Sequence, residues 1–175
     1  QNRFEIALDG IEYDAKFVFA TPGYNVEGSE IGAAFGLVQL ESLDKNIEVR
    51  MRNYNRQIEY FNQYDSFFEN PIQNESSRSG FLAFPILIKE QAPFTRKQFQ
   101  IFLEERNIQT RVCFTGNVLR QPMAQNIEKR IDPAGYPNSD AVMARSVLLP
   151  LHHGMTENMF NRLHTTIDEF IANYS

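Results

Sequence analysis

Apolar residues at Ala33, Leu37, Leu40, Leu43, Ile47, Met51, Tyr54, Ile58 and Phe61 recur in steps of three and four. That is the period of one helix face. It predicts a long amphipathic helix from about Ser29 to about Tyr64. Ser29 suits the N-cap, because its hydroxyl accepts from a backbone N–H two or three residues on. Glu30 then lies in the first turn, where the helix dipole favours a negative charge. The stretch around Asp44-Lys45 is polar for several residues, so the pattern predicts one bent helix or two in succession. Arg50, Arg52 and Arg56 fall off the apolar stripe and read as a solvated face.

Ahead of this helix, residues 1–22 read as extended chain. Phe4 to Leu8 alternates, Asp9-Gly10 signals a turn, and Lys16 to Phe19 is a short strand candidate ended by Thr21-Pro22-Gly23. Downstream, residues 65–80 form a loop with a short strand around Phe67-Phe68. Phe81 to Lys89, FLAFPILIK, is a strongly apolar strand. Pro85 has no amide proton for a ladder and marks an edge or a bulge. Thr95 and Gln98 make a capping box, with Phe94 and Phe99 as its hydrophobic staple. The helix they open runs to about Arg106, buries Phe99, Phe102 and Leu103, and closes at Asn107 in a left-handed conformation.

Gln109 to Thr115 reads as a strand with Thr110, Val112 and Phe114 on one face and Arg111 and Cys113 on the other. Residues 116–138 lack periodicity, and a loop of that length in a compact chain is usually functional or disordered. Ser139-Asp140 opens a short helix to about Arg145, and Val147 to Leu151 is a strand. After His152-His153-Gly154 comes a last helix, from Thr156 to about Asn173. Its face is Met159, Phe160, Leu163, Ile167, Phe170 and Ile171. No internal repeat interrupts this order. It predicts an α+β two-layer unit, a long N-terminal helix followed by a small, mostly antiparallel sheet with helices on one side.

Composition narrows the classes. A chain of 175 residues is one domain, or one domain with an appended piece. Its net charge of −5 argues against general nucleic-acid or anionic-membrane binding. The single cysteine, Cys113, leaves no internal disulfide framework or cysteine metal cage. It fits a reducing compartment, so a cytoplasmic location is expected. No apolar run approaches the roughly 20 residues that span a bilayer, and no signal-peptide pattern opens the chain. Gln1 stands where a start Met would be, so the chain is expected to be a fragment or a processed product. Fifteen Phe and no Trp indicate a well-filled core.

Candidate chemistry is sparse. His152, His153 and His164 have no acidic or thiol partner evident in sequence. On a strand, adjacent histidines point to opposite faces, one buried and one exposed. A zinc site needs at least three convergent ligands, and none is expected. His164 lies beside the apolar face of the last helix and reads as structural. The loop after Thr115 is richer. Gly116 and Asn117 permit a tight turn that presents Asn117, Arg120 and Gln121 together. A guanidinium offers a planar fork of donors, so an Arg with two amides suits a phosphate or carboxylate on a polyol ligand. A well-hydrogen-bonded surface loop accounts for the same residue types, and the types alone leave both readings open.

The stretch GYNVEGSEIGAAFGLVQLESL resembles the Gly-x-Asn…Glu-x-x-Ala-Ala-x-Gly-x-x-Gln-Leu segment of the DegT/DnrJ/StrS sugar-nucleotide aminotransferases, vitamin B6 enzymes of fold type I. Two further pieces are similar to the 3-dehydrase branch of that family, which includes the CDP-4-keto-6-deoxyglucose 3-dehydrases. One is Arg3-Phe4, then Tyr13 to Phe17, then Gly23-Tyr24-Asn25. The other is Thr110-Arg111…Phe114-Thr115-Gly116-Asn117…Arg120-Gln121-Pro122. Pro137-Asn138-Ser139-Asp140 leading to Leu149-Pro150-Leu151 and a final helix also fits, so the resemblance covers nearly the whole chain.

The resemblance implies a C-terminal small domain over residues 23–175, with residues 1–22 as the tail of a large domain upstream. The catalytic residues, an aspartate at the pyridine nitrogen and a lysine or histidine, are then expected outside this chain, as is any iron–sulfur cluster. Pyridoxal or pyridoxamine 5′-phosphate is the implied cofactor of the full-length enzyme. A nucleotide-linked 4-keto sugar is the implied substrate, and a homodimer the implied assembly. Asn25 matches the asparagine expected to reach the cofactor phosphate of the neighbouring subunit. Asn117, Arg120 and Gln121 match the loop expected near the cofactor and sugar. Glu27 departs from the pattern, which usually has Arg or Lys there, and an acid would repel a phosphate. The expected activity of the whole enzyme is 3-dehydration of a 4-keto-6-deoxyhexose in deoxysugar or lipopolysaccharide biosynthesis, with transamination as the alternative. A non-catalytic dimerisation or binding module is the alternative of another class. The isolated chain is expected to bind no cofactor and to be inactive.

Overall fold

A computed structural model describes residues 3–4, 6–23 and 28–174. Two short strands, β1 (Ile6–Leu8) and β2 (Ile11–Tyr13), pair antiparallel as a hairpin. Its two-residue turn holds Asp9 at φ 51° and Gly10 at φ 81°. Both values are positive, which matches the twist of a tight hairpin. Residues Ala15–Phe17 form a 3₁₀ turn capped by the Asp14 side chain, not the strand expected from Lys16 to Phe19. The local cap satisfies backbone groups that a strand there would have had to pair elsewhere.

The long helix is two in succession, α1 (Glu30–Leu40) and α2 (Leu43–Asn62). Ser29 caps α1 by accepting from the Gly32 N–H at 3.1 Å. The apolar face is buried only along α2, at Tyr54 and Phe61. No residue of α1 is buried, and Ile31, Phe35, Leu37, Val38 and Leu40 are exposed. The arginines are not a plain solvated face either. Arg50 donates to the Phe81 carbonyl at 2.7 Å. Arg56 grips both oxygens of Glu157, at 2.7 and 2.8 Å, and its guanidinium lies 4.3 Å from the centre of the Phe160 ring.

Strands β3 (Phe68–Glu69), β4 (Ala83–Ile88) and β5 (Ser146–Pro150) form an antiparallel sheet in the order β3-β4-β5. Strand β3 pairs only with Leu87 and Ile88, so Pro85 lies where β4 is an edge on that side. This is where a residue without an N–H is tolerated. The capping box on Thr95 and Gln98 is present and opens α3 (Arg96–Glu105). Asn107, at φ 58°, closes α3. The Ile108 N–H reaches the Leu103 carbonyl and the Asn107 N–H the Glu104 carbonyl, both at 3.0 Å, a Schellman closure. Two more helices complete the unit, α4 (Pro137–Arg145) and α5 (Glu157–Ile171).

One core lies between α2, α3, α5 and one face of the sheet. It buries Phe61, Phe84, Ile86, Phe99, Val147, Leu149, Leu163 and Ile167, among others. Phe61 stacks on Phe84 with centroids 5.5 Å apart, and Phe99 meets Phe170 edge-on at 5.2 Å. A smaller cluster of Leu8, Tyr13, Val112 and Met143 joins the hairpin to α4. His164 is structural. Its ring stacks on Tyr60 at 3.6 Å, and its Nε2 meets the Gln57 Oε1 at 2.8 Å. Met159, placed on the buried face of α5 by its spacing, is 49% exposed.

Candidate functional site

The segment expected as a strand from Gln109 to Thr115 is reduced to one bridge, between Arg111 and Leu148. The alternation stops because Phe114 takes φ 48° and its N–H turns back to the Val112 carbonyl. Phe114 is therefore exposed rather than buried with Val112. The Tyr13 hydroxyl fixes this turn by donating to the Phe114 carbonyl at 2.5 Å. Gly116 follows at φ 61°, and a Cβ there would lie 2.5 Å from the Cβ and Cγ of Met143. Only glycine fits both the conformation and the space.

This turn delivers the three loop residues to two different tasks. Asn117 accepts from the Leu119 N–H at 3.1 Å and donates to Asp140 Oδ1 at 2.7 Å. Arg120 grips the same carboxylate side-on, Nε to Oδ1 at 2.6 Å and Nη2 to Oδ2 at 2.9 Å. Its Nη1 reaches Asp9 Oδ2, on the hairpin turn, at 3.3 Å. Gln121 does not join them. It is fully buried, donates to the carbonyls of Phe17 and Thr115 at 3.0 Å, and accepts from the Phe19 N–H at 3.1 Å. Its amide is spent on bonds that hold the loop to the segment after the hairpin.

Asp140 organises the cluster and was not singled out from sequence. It lies in the first turn of α4, twenty residues from its arginine, and no local pattern announces that pairing. Hydrogen bonds from Arg120, then from Asn117, hold its carboxyl well below the usual carboxylate range, at about 2. The same pair raises the Arg120 pKa, so both groups stay charged.

The second feature is an open cleft of about 480 Å³ on the sheet face away from the main core, lined by Ala83, Arg111, Phe114, Leu148, Pro150 and His152, among others. Bridge partners share a face, so Arg111 stands beside Leu148 on this open side. Arg111 thus lies opposite Thr110 and Val112, which are buried, as the alternation predicts. His152 and His153 follow β5 in a turn rather than extending it, and both are exposed. Among the described residues no group of three or more His, Cys, Asp or Glu could hold a metal ion. Asn25 and Glu27 lie outside the described residues.

The chain matches the DegT/DnrJ/EryC1/StrS aminotransferase family model over residues 4–168. It is 30% identical over 160 residues to the lipopolysaccharide biosynthesis protein RfbH of Salmonella typhimurium, covering 91% of this chain and 36% of that protein. It is 34% identical over 177 residues to the dTDP-4-dehydro-2,6-dideoxy-D-glucose 3-dehydratase of Saccharopolyspora spinosa, covering 100% of this chain and 38% of that protein. The E. coli GDP-4-keto-6-deoxy-D-mannose-3-dehydratase with bound hydrated PLP superposes with a TM-score of 0.70 at 24% identity. That match covers 86% of this chain and 38% of the other. At that identity the likeness shows the fold. The chain thus spans little more than a third of the length of these relatives.

Proposed function

The chain belongs to the DegT/DnrJ/EryC1/StrS aminotransferase family, and from that premise we propose that it is the C-terminal small domain of a longer sugar-nucleotide enzyme. That enzyme uses pyridoxal or pyridoxamine 5′-phosphate and removes the 3-hydroxyl of a 4-keto-6-deoxyhexose in deoxysugar or lipopolysaccharide biosynthesis. Its place is the cytoplasm, and among the described residues no helix is long and apolar enough to cross a membrane. Residues 23–175 are the small domain and residues 1–22 the tail of the large one. The observation that carries the reading is the Arg120 fork, held by Asp140 and Asn117, with Nη1 set against the exposed Asp9. An outward guanidinium donor suits a phosphate or carboxylate.

The cofactor supplies the electronics of the reaction, and the protein supplies position. Among the described residues, no lysine or carboxylate lines the cleft. Within this proposal Asn25 meets the cofactor phosphate of the neighbouring subunit in a homodimer, and the residues that hold the pyridine ring belong to the rest of the enzyme.

Transamination is the second reading, supported by 28% identity over 149 residues to the dTDP-4-amino-4,6-dideoxy-D-glucose transaminase of Escherichia coli. The test is the absorbance of the full-length protein with pyridoxal phosphate, before and after borohydride. Reversible binding without covalent trapping is expected for the dehydrase. Trapping on a lysine would favour the transaminase. No binding would overturn the enzyme reading and leave an interaction module.

A further inference from the structure

Two carboxylates meet one guanidinium, and they do so unequally. Asp140 takes the Nε–Nη2 edge with both oxygens, at 2.6 and 2.9 Å. Those are the lengths of strong charge-assisted bonds. Asn117 adds a third bond to the same carboxylate, and the Asp140 backbone is fixed in a helix. Asp9 makes a single contact with Nη1 at 3.3 Å, and its side chain is 61% exposed against 32% for Asp140. Its backbone is set by the hairpin turn with Gly10, not by the pair.

From this asymmetry we propose that Asp140 and Asp9 do opposite work on Arg120. Asp140 is a positioning residue that fixes the plane of the guanidinium. Asp9 is a built-in competitor that occupies the outward donor until an anionic group of the ligand replaces it. The argument rests on the reading above, in which Arg120 meets a phosphate or carboxylate of the ligand. A single, exposed contact is the one an incoming anion can displace, because a bidentate pair locked by a third bond has to lose more. With both acids in place, the cluster of Arg120, Asp140 and Asp9 carries one negative charge in excess. It therefore resists an anion until Asp9 swings out. Neutralising Asp9 removes both the competition and the repulsion. Neutralising Asp140 leaves the arginine free to rotate and to pair with Asp9 instead.

The test is calorimetric titration of the full-length protein with CDP, GDP and dTDP, for the wild type and for Arg120→Ala, Asp140→Asn and Asp9→Asn. The wild type is expected to bind at least one of the three. For that nucleotide, R120A and D140N weaken binding by about tenfold, while D9N tightens it several-fold. A merely structural loss does not tighten binding, so the D9N result separates a competitor from a prop. If R120A weakens binding but D9N does not tighten it, the competitor role is overturned. If R120A weakens binding and folded D140N does not, the positioning role is overturned. Should D140N fail to fold, D9N alone decides. Unchanged affinity in R120A, or no nucleotide bound by the wild type, overturns the underlying reading and the inference together.

Discussion

Replacing Gly116 by alanine tests the link between the loop and α4 most directly. Two costs add. An L-residue held at φ 61° loses about 1–2 kcal/mol. The new Cβ would lie 2.5 Å from the Cβ and Cγ of Met143 and 2.9 Å from its Cα, where carbon atoms prefer about 3.5–4.0 Å. Relief needs a shift of about 1 Å, and overpacking of that kind costs about 1–3 kcal/mol. The expected loss is therefore about 2–5 kcal/mol. Gly10→Ala is the control, because φ is 81° there but nothing lies within 4 Å. It loses the backbone part alone, about 1–2 kcal/mol. Calorimetric unfolding of the full-length protein reads both, at about 2–4 °C of Tm per kcal/mol for a unit of 150–250 residues. Truncating Met143 to alanine in the G116A background gives no rescue, since the Cβ and Cα remain. Equal losses in G116A and G10A, or a rescue by M143A, would refute the close-approach argument.

Gln121→Leu leaves two carbonyls and one N–H without their partner, so denaturant unfolding should show a loss of about 2–4 kcal/mol. Nucleotide affinity falls only as far as the loop loosens. Asp140 titrates at about 2 in the folded state, against about 3.9 unfolded. Its contribution is present above pH 4 and is lost as the pH falls through about 2, which a carbon-detected NMR titration of the carboxyl reads; a midpoint near 4 would remove the pair from the account. His164 is held at about 4, chiefly by burial, then by Arg56 and against the pull of Asp168. Below its usual value near 6.5 the unfolded chain takes the proton first, so stability falls from pH 6.5 towards pH 4. That slope should flatten in His164→Gln.

Features set by neighbours in sequence were legible. The Ser29 and Thr95 caps, the Asn107 closure and the Asp9-Gly10 turn all rest on contacts within a few residues, where side-chain chemistry decides the backbone. Features set across the fold were not. The period of Gln109 to Thr115 is that of a strand, yet the Tyr13 hydroxyl and the close approach of Gly116 to Met143 turn the chain away after one bridge. Lys16 to Phe19 is a strand candidate by its apolar residues, but the Asp14 side chain offers a local cap that a strand does not. The stripe of α1 has the right period and no partner among the described residues. Periodicity shows that a face is apolar, not what covers it.

The candidate site repeats this division. Asn117 and Arg120 belonged together by spacing, and the fold does bring them to one point. Gln121 has the same residue chemistry and the same loop, yet it is inside the wall rather than on it. A buried amide must spend its donors and acceptor on whatever surrounds it, and here those are carbonyls and an N–H left free by irregular backbone. Asn117 is buried as well, so the two amides differ in what each meets, a carboxylate for one and backbone groups for the other, which the order of residue types does not encode. Asp140 inverts the case. Its type gave no hint of a site, but a carboxylate in the first turn of a helix is stabilised as an anion. It can therefore stay ionised beside Arg120 and hold two of its nitrogens, leaving Nη1 to the exposed Asp9. The site is thus organised by a carboxylate, and what it holds in place is a guanidinium.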